Sequence, residues 1–191
     1  MLINKSIKQF INELASEKPA PGGGSASAMA SAMAAALALM TIDITFPKIT
    51  DETAKEKLLS AKKELDFVKK VLTSLIDKDA DAYNRVVKSF KLPKNTEKKK
   101  EKRQNEIQKS FTIAASVPLQ TALQSFQIID ILKRIKDLLS KNVASDIEVA
   151  ELLANAGLKG AIANVKINLD CIKDEEFKKK TEEILKIITP F

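Results

Sequence analysis

The sequence predicts an all-helical protein, an up-and-down antiparallel bundle of about six to seven helices around a central alanine-rich helix. The 191 residues contain only 5 Gly and 6 Pro, and 5% of them are aromatic. Apolar residues recur at helical spacing, and neither an alternating strand pattern nor an internal repeat is present. Because the connections are short and the helices long, consecutive helices should pack as antiparallel neighbours in a single domain, 1–191.

An uncharged stretch from Pro19 to Ile42 is the most unusual part of the chain. It opens with Pro-Ala-Pro-Gly-Gly-Gly-Ser at 19–25, where prolines disfavour helix and glycines let another group approach the main chain. Ser25 is expected to cap a helix, whose free first-turn N–H groups attract anions or carbonyl oxygens. The alanine-rich run to Met40 is apolar on nearly every face, so we expect other helices to surround it.

Caps and prolines mark the helix ends in the first half of the chain. Phe46-Pro47 should end the alanine-rich helix, and Thr50 or Asp51 should cap a long amphipathic rod. Leu92-Pro93-Lys94-Asn95 is predicted as a loop before the next cap, Thr96. A short helix at the N-terminus is predicted from the apolar stripe of Ile7, Phe10, Ile11 and Leu14.

Similar signals divide the second half of the chain. Pro118 should break or kink its helix. The segment Ser145-Asp146-Ile147-Glu148 has the form of a capping box, and Asp174 should cap the last helix. Between these caps, Asn164 and Asn168 share one face of an apolar helix, either as structural hydrogen-bonding groups or as ligand-binding ones.

Composition excludes several classes of function. The chain has no histidine and one cysteine, Cys171, so an ordinary zinc site is not expected and proton transfer must use other side chains. The lone cysteine and the lack of a signal-peptide pattern favour the cytoplasm. A net charge of +7 suits an anionic ligand.

Two macromolecular partners are not expected. The most basic run, at 98–103, lacks the interleaved aromatic residues of a nucleic-acid site, so we interpret it as a solvated helix start. The alanine-rich helix is long enough to span a membrane, but alanine and serine transfer weakly into lipid compared with leucine. We therefore predict neither a nucleic-acid nor a membrane partner.

Five landmarks occur in a characteristic order. They are residues 19–25 with the alanine-rich helix, Asp79-Ala80-Asp81-Ala82-Tyr83 with Leu92-Pro93-Lys94, Val117-Pro118-Leu119, Ser145-Asp146, and Asn164-Val165-Lys166-Ile167-Asn168-Leu169. Together they resemble the formiminotetrahydrofolate cyclodeaminase and methenyltetrahydrofolate cyclohydrolase family over nearly the whole chain. Two departures affect the expected pocket rim: the segment at 41–51 is short and lacks a glycine, and Ser140-Lys141 replaces a glycine before Asn142.

The resemblance implies a homodimer that acts on a one-carbon tetrahydrofolate, with or without a polyglutamate tail, and has no tightly bound cofactor. Two reactions are implied as alternatives, ammonia elimination from 5-formiminotetrahydrofolate and hydrolysis of 5,10-methenyltetrahydrofolate. Both need a group that moves a proton to or from nitrogen and a carboxylate that balances an amidinium charge. The alternative is a catalytically inactive folate-binding or dimeric scaffold protein.

The resemblance also implies roles for individual residues. Asp79 and Asp146 are the expected catalytic carboxylates, one moving the proton and the other binding the pterin ring. Lys94 and Lys166 are expected to bind the glutamate tail, and the N–H groups of 22–25 a carbonyl or carboxylate group. The whole expected substrate-binding set is Pro21, Gly22, Gly23, Gly24, Ser25, Tyr83, Lys94, Asn142, Ser145, Asn164, Lys166 and Asn168.

Overall fold

Four long helices dominate the computed structural model, which describes residues 1–189. The α-helices are α1 (Ile7–Leu14), α2 (Gly23–Thr45), α3 (Glu52–Phe90), α4 (Glu97–Ile135), α5 (Ala144–Leu169) and α6 (Glu175–Ile188). Short 3₁₀ turns cover Leu2–Asn4, Phe46–Lys48, Lys136–Leu138 and Lys141–Val143. No strand occurs among the described residues. The predicted all-helical class and number of helices are confirmed.

Three predicted caps are confirmed, and each satisfies a main-chain N–H group that its helix leaves free. The Asp51 carboxylate accepts from the Thr53 amide at 3.0 Å and begins α3. Thr96 caps α4 and Asp174 caps α6 in the same way. The turn at Phe46–Lys48 ends α2, as its proline predicts.

Three other expectations about helix ends are wrong. The first turn of α2 begins at Gly23 with Gly22 as its N-cap, because the Ser25 hydroxyl is turned toward α3. Of the two outcomes expected at Pro118, a break or a kink, the break is wrong, because α4 is continuous around this buried residue. Ser145 is not a cap, since a 3₁₀ turn capped by Ser140 leads directly into α5. At Ser25 a hydrogen bond to another helix replaces the expected cap, and at Ser145 the preceding 3₁₀ turn replaces it.

Contacts at opposite ends of the bundle show that consecutive long helices run antiparallel. Near the start of α2, Ser25 contacts Asp79 of α3, whereas near its end Asp43 pairs with Lys62. Arg134 at the end of α4 pairs with Glu64 of α3 at 2.8 Å. The four long helices pack in a ring, in the order α2, α3, α4, α5, and α2 also contacts α4 across the core.

Small residues let α2 and α5 approach closely. A Cβ atom on Gly157 would lie 1.9 Å from Ser31 Oγ and 2.9 Å from the carbonyl oxygen of Ser27. A Cβ atom on Gly160 would lie 2.4 Å from Ser27 Oγ. The two glycines therefore set the separation of α2 and α5, and with it the position of every residue that α5 presents to the start of α2.

Helix α2 contacts α3, α4 and α5, but the other helices of the chain leave its outer face uncovered. Its inner face is buried, but Met33, Met40 and Ile44 are 46%, 38% and 41% exposed. Ala36 lies between them and is also exposed. Segment Gly23–Lys48 is apolar and long enough to cross a membrane by composition, with 44% of its most apolar window buried. The result is an apolar outward stripe along α2, made of Met33, Ala36, Met40 and Ile44.

Candidate functional site

A pocket of about 180 Å³ opens where α2 begins and where α3, α4 and α5 pass it. Asp79 and Tyr83 come from α3, and Asn164 and Asn168 come from α5. Glycines of the first turn of α2 form the remaining polar wall, as main-chain groups. The complete lining is Pro19, Ala20, Gly22, Gly23, Gly24, Asp79, Ala82, Tyr83, Ala114, Asn164 and Asn168.

Asp79 is the one carboxylate in the lining, and it faces the positive end of the α2 dipole. Its Oδ2 atom lies 3.0 Å from Ser25 Oγ. Burial raises the pKa of Asp79 above its ordinary value of 3.8, and hydrogen bonds from the Ser25 hydroxyl and amide oppose that rise. Raising the pKa brings a carboxyl group closer to neutral pH, where it can both accept and donate a proton.

The Ser25 hydroxyl is fully buried and has two acceptors for its single hydrogen. It lies 2.9 Å from the carbonyl oxygen of Ile76 and 3.0 Å from Asp79 Oδ2. When Asp79 is ionised, the hydroxyl can donate to the carboxylate. When Asp79 is protonated, the carboxyl can donate to Ser25 and the hydroxyl can donate to Ile76. Ser25 therefore supports Asp79 in both protonation states.

Glycine is required at position 24 because α2 and Asp79 touch there. A Cβ atom on Gly24 would lie 2.0 Å from Asp79 Oδ1. A Cβ atom on Gly23 would lie 3.3 Å from Asn164 Nδ2. The Gly-Gly-Gly motif thus lets the carboxylate and the amide approach the free N–H groups of the first helical turn.

The two asparagines predicted from the α5 face both line the pocket. Their amide nitrogens donate to carbonyl oxygens one turn earlier, Asn164 to Gly160 at 2.8 Å and Asn168 to Asn164 at 2.7 Å. These bonds fix each side chain against the helix, while both residues stay only half-buried. Tyr83 is 41% exposed, one turn along α3 from Asp79.

Pro21 and Ser25 lie next to the pocket without lining it. Pro21 is buried behind the loop and follows a cis peptide bond. Four residues outside the predicted binding set also line the pocket, namely Pro19, Ala20, Ala82 and Ala114. Pro19 and Ala20 belong to the proline- and glycine-rich motif at 19–25. Ala82 stands inside the Asp79–Tyr83 motif, whereas nothing in the α4 sequence distinguishes Ala114 from other small core residues.

Asn142, Ser145 and Asp146 are not brought to this pocket within the chain. They lie at the start of α5, at the end of the bundle where Ser140 contacts Thr45. The helical path from Asp146 to Asn164 measures about 27 Å at 1.5 Å per residue. Asn142 and Ser145 are exposed and Asp146 is half-buried.

The two predicted tail-binding lysines also lie outside the pocket. Lys94 is in the turn between α3 and α4, beside Lys98 and Arg103. Lys166 faces away from Asn164 and lines a larger groove of about 860 Å³ between α5 and α6. Unlike the pocket at Asp79, this groove has no wall of glycine N–H groups. Among residues 1–189, no three His, Cys, Asp or Glu side chains are grouped to hold a metal ion.

Comparisons with known proteins agree on one family. The sequence profile described as formiminotransferase-cyclodeaminase matches residues 6–186. A methenyltetrahydrofolate cyclohydrolase from Methylorubrum extorquens is 35% identical over 183 residues, 96% of this chain and 86% of that protein. A formimidoyltransferase-cyclodeaminase from Mus musculus is 32% identical over 94% of this chain, which spans only 33% of that relative's length. The crystal structure of a Thermotoga maritima formiminotetrahydrofolate cyclodeaminase superposes with a TM-score of 0.87 at 30% identity, covering 98% of this chain and 90% of that one.

Proposed function

Because the chain belongs to the formiminotransferase-cyclodeaminase family, we propose that it is a folate enzyme acting on the one-carbon unit held by N5 and N10 of tetrahydrofolate. The observation that carries the proposal is Asp79, a carboxyl group of raised pKa opposite the first turn of α2. The family relation supports both a cyclohydrolase and a cyclodeaminase reaction.

In the cyclohydrolase reaction, water adds to the cationic methenyl carbon. Ionised Asp79 takes a proton from the water and balances the amidinium charge. The resulting tetrahedral carbon is bonded to both nitrogens. Its bond to N5 then breaks as a proton moves to N5, giving 10-formyltetrahydrofolate and one net proton.

In the cyclodeaminase reaction, N10 attacks the protonated formimino carbon on N5. Asp79 takes the N10 proton and passes it to the departing amino group, which leaves as ammonia. The product is 5,10-methenyltetrahydrofolate. One carboxyl that can both accept and donate a proton serves each reaction, so the same pocket is compatible with both.

Absorbance of the methenyl chromophore tests the proposal with two substrates. Loss of the chromophore from 5,10-methenyltetrahydrofolate, faster than without enzyme, identifies hydrolysis. Its appearance from 5-formiminotetrahydrofolate, together with ammonia, identifies deamination. Asp79→Asn should lower kcat by about 10²-fold or more, the usual contribution of a general acid or base. Folded wild-type protein that changes neither substrate would instead support the inactive folate-binding or scaffold alternative.

We also propose that the protein is a homodimer that buries the outward stripe of α2. The stripe carries no charge, and the apolar surface continues on neighbouring α5 with Val149 and Leu152, which are 46% and 63% exposed. Exposed apolar patches of this kind mark interaction sites. Sedimentation without detergent should give a dimer, and Met33→Lys with Met40→Lys should give a monomer. Phe67→Lys, on an exposed α3 position, is the control.

A polyglutamate tail remains part of the proposal. The α3–α4 hairpin extends beyond Asp79 to Lys94, and Arg85 and Lys88 are exposed along it. These cations are placed to attract the γ-linked carboxylates of a longer tail. If they bind it, Lys88→Gln should raise KM for a pentaglutamate substrate and leave KM for the monoglutamate unchanged.

A further inference from the structure

The pocket beside Asp79 is small for its proposed ligand. Its volume is about 180 Å³, whereas pockets for ligands of this size usually measure about 300–1,000 Å³. It is also open on the side of Gly23, which is exposed at the start of α2. The single chain therefore forms only part of the wall that a folate needs.

The proposed dimer, on which this inference rests, offers a second copy of the chain as the source of the remaining pocket wall. We infer that two copies pair through antiparallel α2 helices, and that the start of α5 in one copy completes the Asp79 pocket of the other. Asp146 is the residue that the partner supplies. The site is then built from both chains.

The helix dipoles favour antiparallel over parallel pairing of the two apolar stripes. A two-fold axis across the middle of the stripe, near Ala36, brings each stripe onto its copy and opposes the two helix dipoles. Gly157 faces Ser31 and Gly160 faces Ser27, so this point on α2 is level with α5 close to Leu152. Leu152 is 63% exposed at the place where the two α5 helices would meet.

The same axis determines which residues approach the pocket. Asp146 precedes Leu152 by the same interval as position 158 follows it, so the partner's Asp146 is level with position 158. From there the helical path to Asn164 measures about 9 Å, compared with about 27 Å for Asp146 within one chain. Asp146 and Asn164 are eighteen residues, or five helical turns, apart in the sequence, so they lie on the same face of α5. The partner's Asp146 then lies, measured along the axis of α5, within two helical turns of a pocket that already contains Asp79.

Cross-linking tests the geometry without any assay of activity. The helical path from Lys141 to Lys166 measures about 37 Å, so a short amine-reactive cross-linker cannot join them within one chain. In a mixture of ¹⁴N and ¹⁵N protein, we expect mixed-isotope links from Lys141 to Lys159 or Lys166. A dimer that gives only Lys141–Lys141 links would overturn the antiparallel arrangement, as would a monomer.

Mixed dimers test the shared site. Asp79→Asn and Asp146→Asn chains with different affinity tags are co-expressed, and the heterodimer is purified. With shared sites, one of its two pockets contains both aspartates, so it should recover about half of the wild-type activity while each homodimer is nearly inactive. An inactive heterodimer, or a fully active Asp146→Asn homodimer, would refute the inference.

The two proposals fail in different ways. Wild-type protein that is inactive on both folates removes the proposed function, and the isotope-resolved links still decide the pairing of chains. An active wild-type enzyme without Lys141–Lys159 or Lys141–Lys166 links retains the function and removes the shared site. Circular dichroism of both asparagine variants checks that each remains helical.

Discussion

Ser25 shows how one hydroxyl can support a titrating carboxyl group. It contacts Asp79 Oδ2 and the carbonyl oxygen of Ile76 at nearly equal distances. Hydrogen bonds to an ionised carboxylate are stronger than those between neutral groups, so Ser25 favours the charged state. This bond limits the rise in the pKa of Asp79 that burial causes.

Ser25→Ala should therefore raise the pKa of Asp79 further. The measurement is a pH titration of ¹³C-labelled aspartate carboxyl carbons by NMR, with Asp79→Asn to assign the signal. In an active enzyme, kcat/KM should fall roughly tenfold at a pH below the new pKa, since hydrogen bonds to charged groups contribute about 1.5–3 kcal/mol.

Ser31→Ala is the matched control for this substitution. Ser31 is another fully buried serine of α2, but its hydroxyl contacts Ser125 at 2.6 Å and not Asp79. Both variants lose a buried hydrogen bond and some stability, yet only Ser25→Ala should move the titration. Identical Asp79 titrations in the wild type and Ser25→Ala would show that the hydroxyl has no influence on the carboxyl.

At the scale of elements, the close contact of α2 with α5 depends on two glycines of unequal importance. Gly157→Ala places a methyl group against Ser31 Oγ and the carbonyl oxygen of Ser27, whereas Gly160→Ala meets only side-chain atoms of Ser27. A hydroxyl can rotate away, but a main-chain carbonyl cannot move without its helix. Gly157→Ala should therefore separate the helices more than Gly160→Ala does.

We expect Gly157→Ala to lower the free energy of unfolding by about 1–3 kcal/mol. This loss outweighs the gain of about 0.8–1.0 kcal/mol that alanine provides over glycine within a helix. Urea unfolding of the wild type and both alanine variants measures the effect. A Gly157→Ala protein as stable as Gly160→Ala would mean that α2 and α5 adjust to the added methyl group.

Elements could be predicted from the sequence wherever their signals are local. Asp51, Thr96 and Asp174 cap helices by bonding amides two or three residues away, which sequence spacing reveals. The predicted cap at Ser25 and the predicted break at Pro118 are wrong because local spacing does not reveal how these residues pack among the other helices. Ser25 bonds to α3 rather than to its own helix, and Pro118 is buried within a continuous α4.

At the scale of the molecule, the sequence could predict only part of the candidate site. Asp79, Tyr83, Asn164 and Asn168 were expected together and share the pocket. Asp146 was expected with them but lies at the opposite end of the bundle. No sequence spacing distinguishes a residue that joins its own chain's pocket from one that joins a partner's pocket, because that choice depends on how copies associate.

The buried position of Asp79 should lower the free energy of unfolding at neutral pH. The pKa of Asp79 is raised in the folded state above its ordinary value of 3.8. The folded protein therefore binds this proton more tightly than the unfolded chain does, and the stabilisation is lost as pH rises from 3.8 through the raised pKa. Asparagine is similar in shape and cannot ionise, so Asp79→Asn avoids this loss.

We therefore expect Asp79→Asn to unfold at a higher temperature than wild type at neutral pH while losing turnover. The advantage should shrink as pH falls and should vanish below 3.8, where wild-type Asp79 is protonated in both states. Calorimetry across this pH range measures it, and Asp81→Asn, an exposed change on the same helix, controls for the lost charge. If the Asp79→Asn advantage is absent or does not depend on pH, burial does not hold Asp79 in a destabilised charged state.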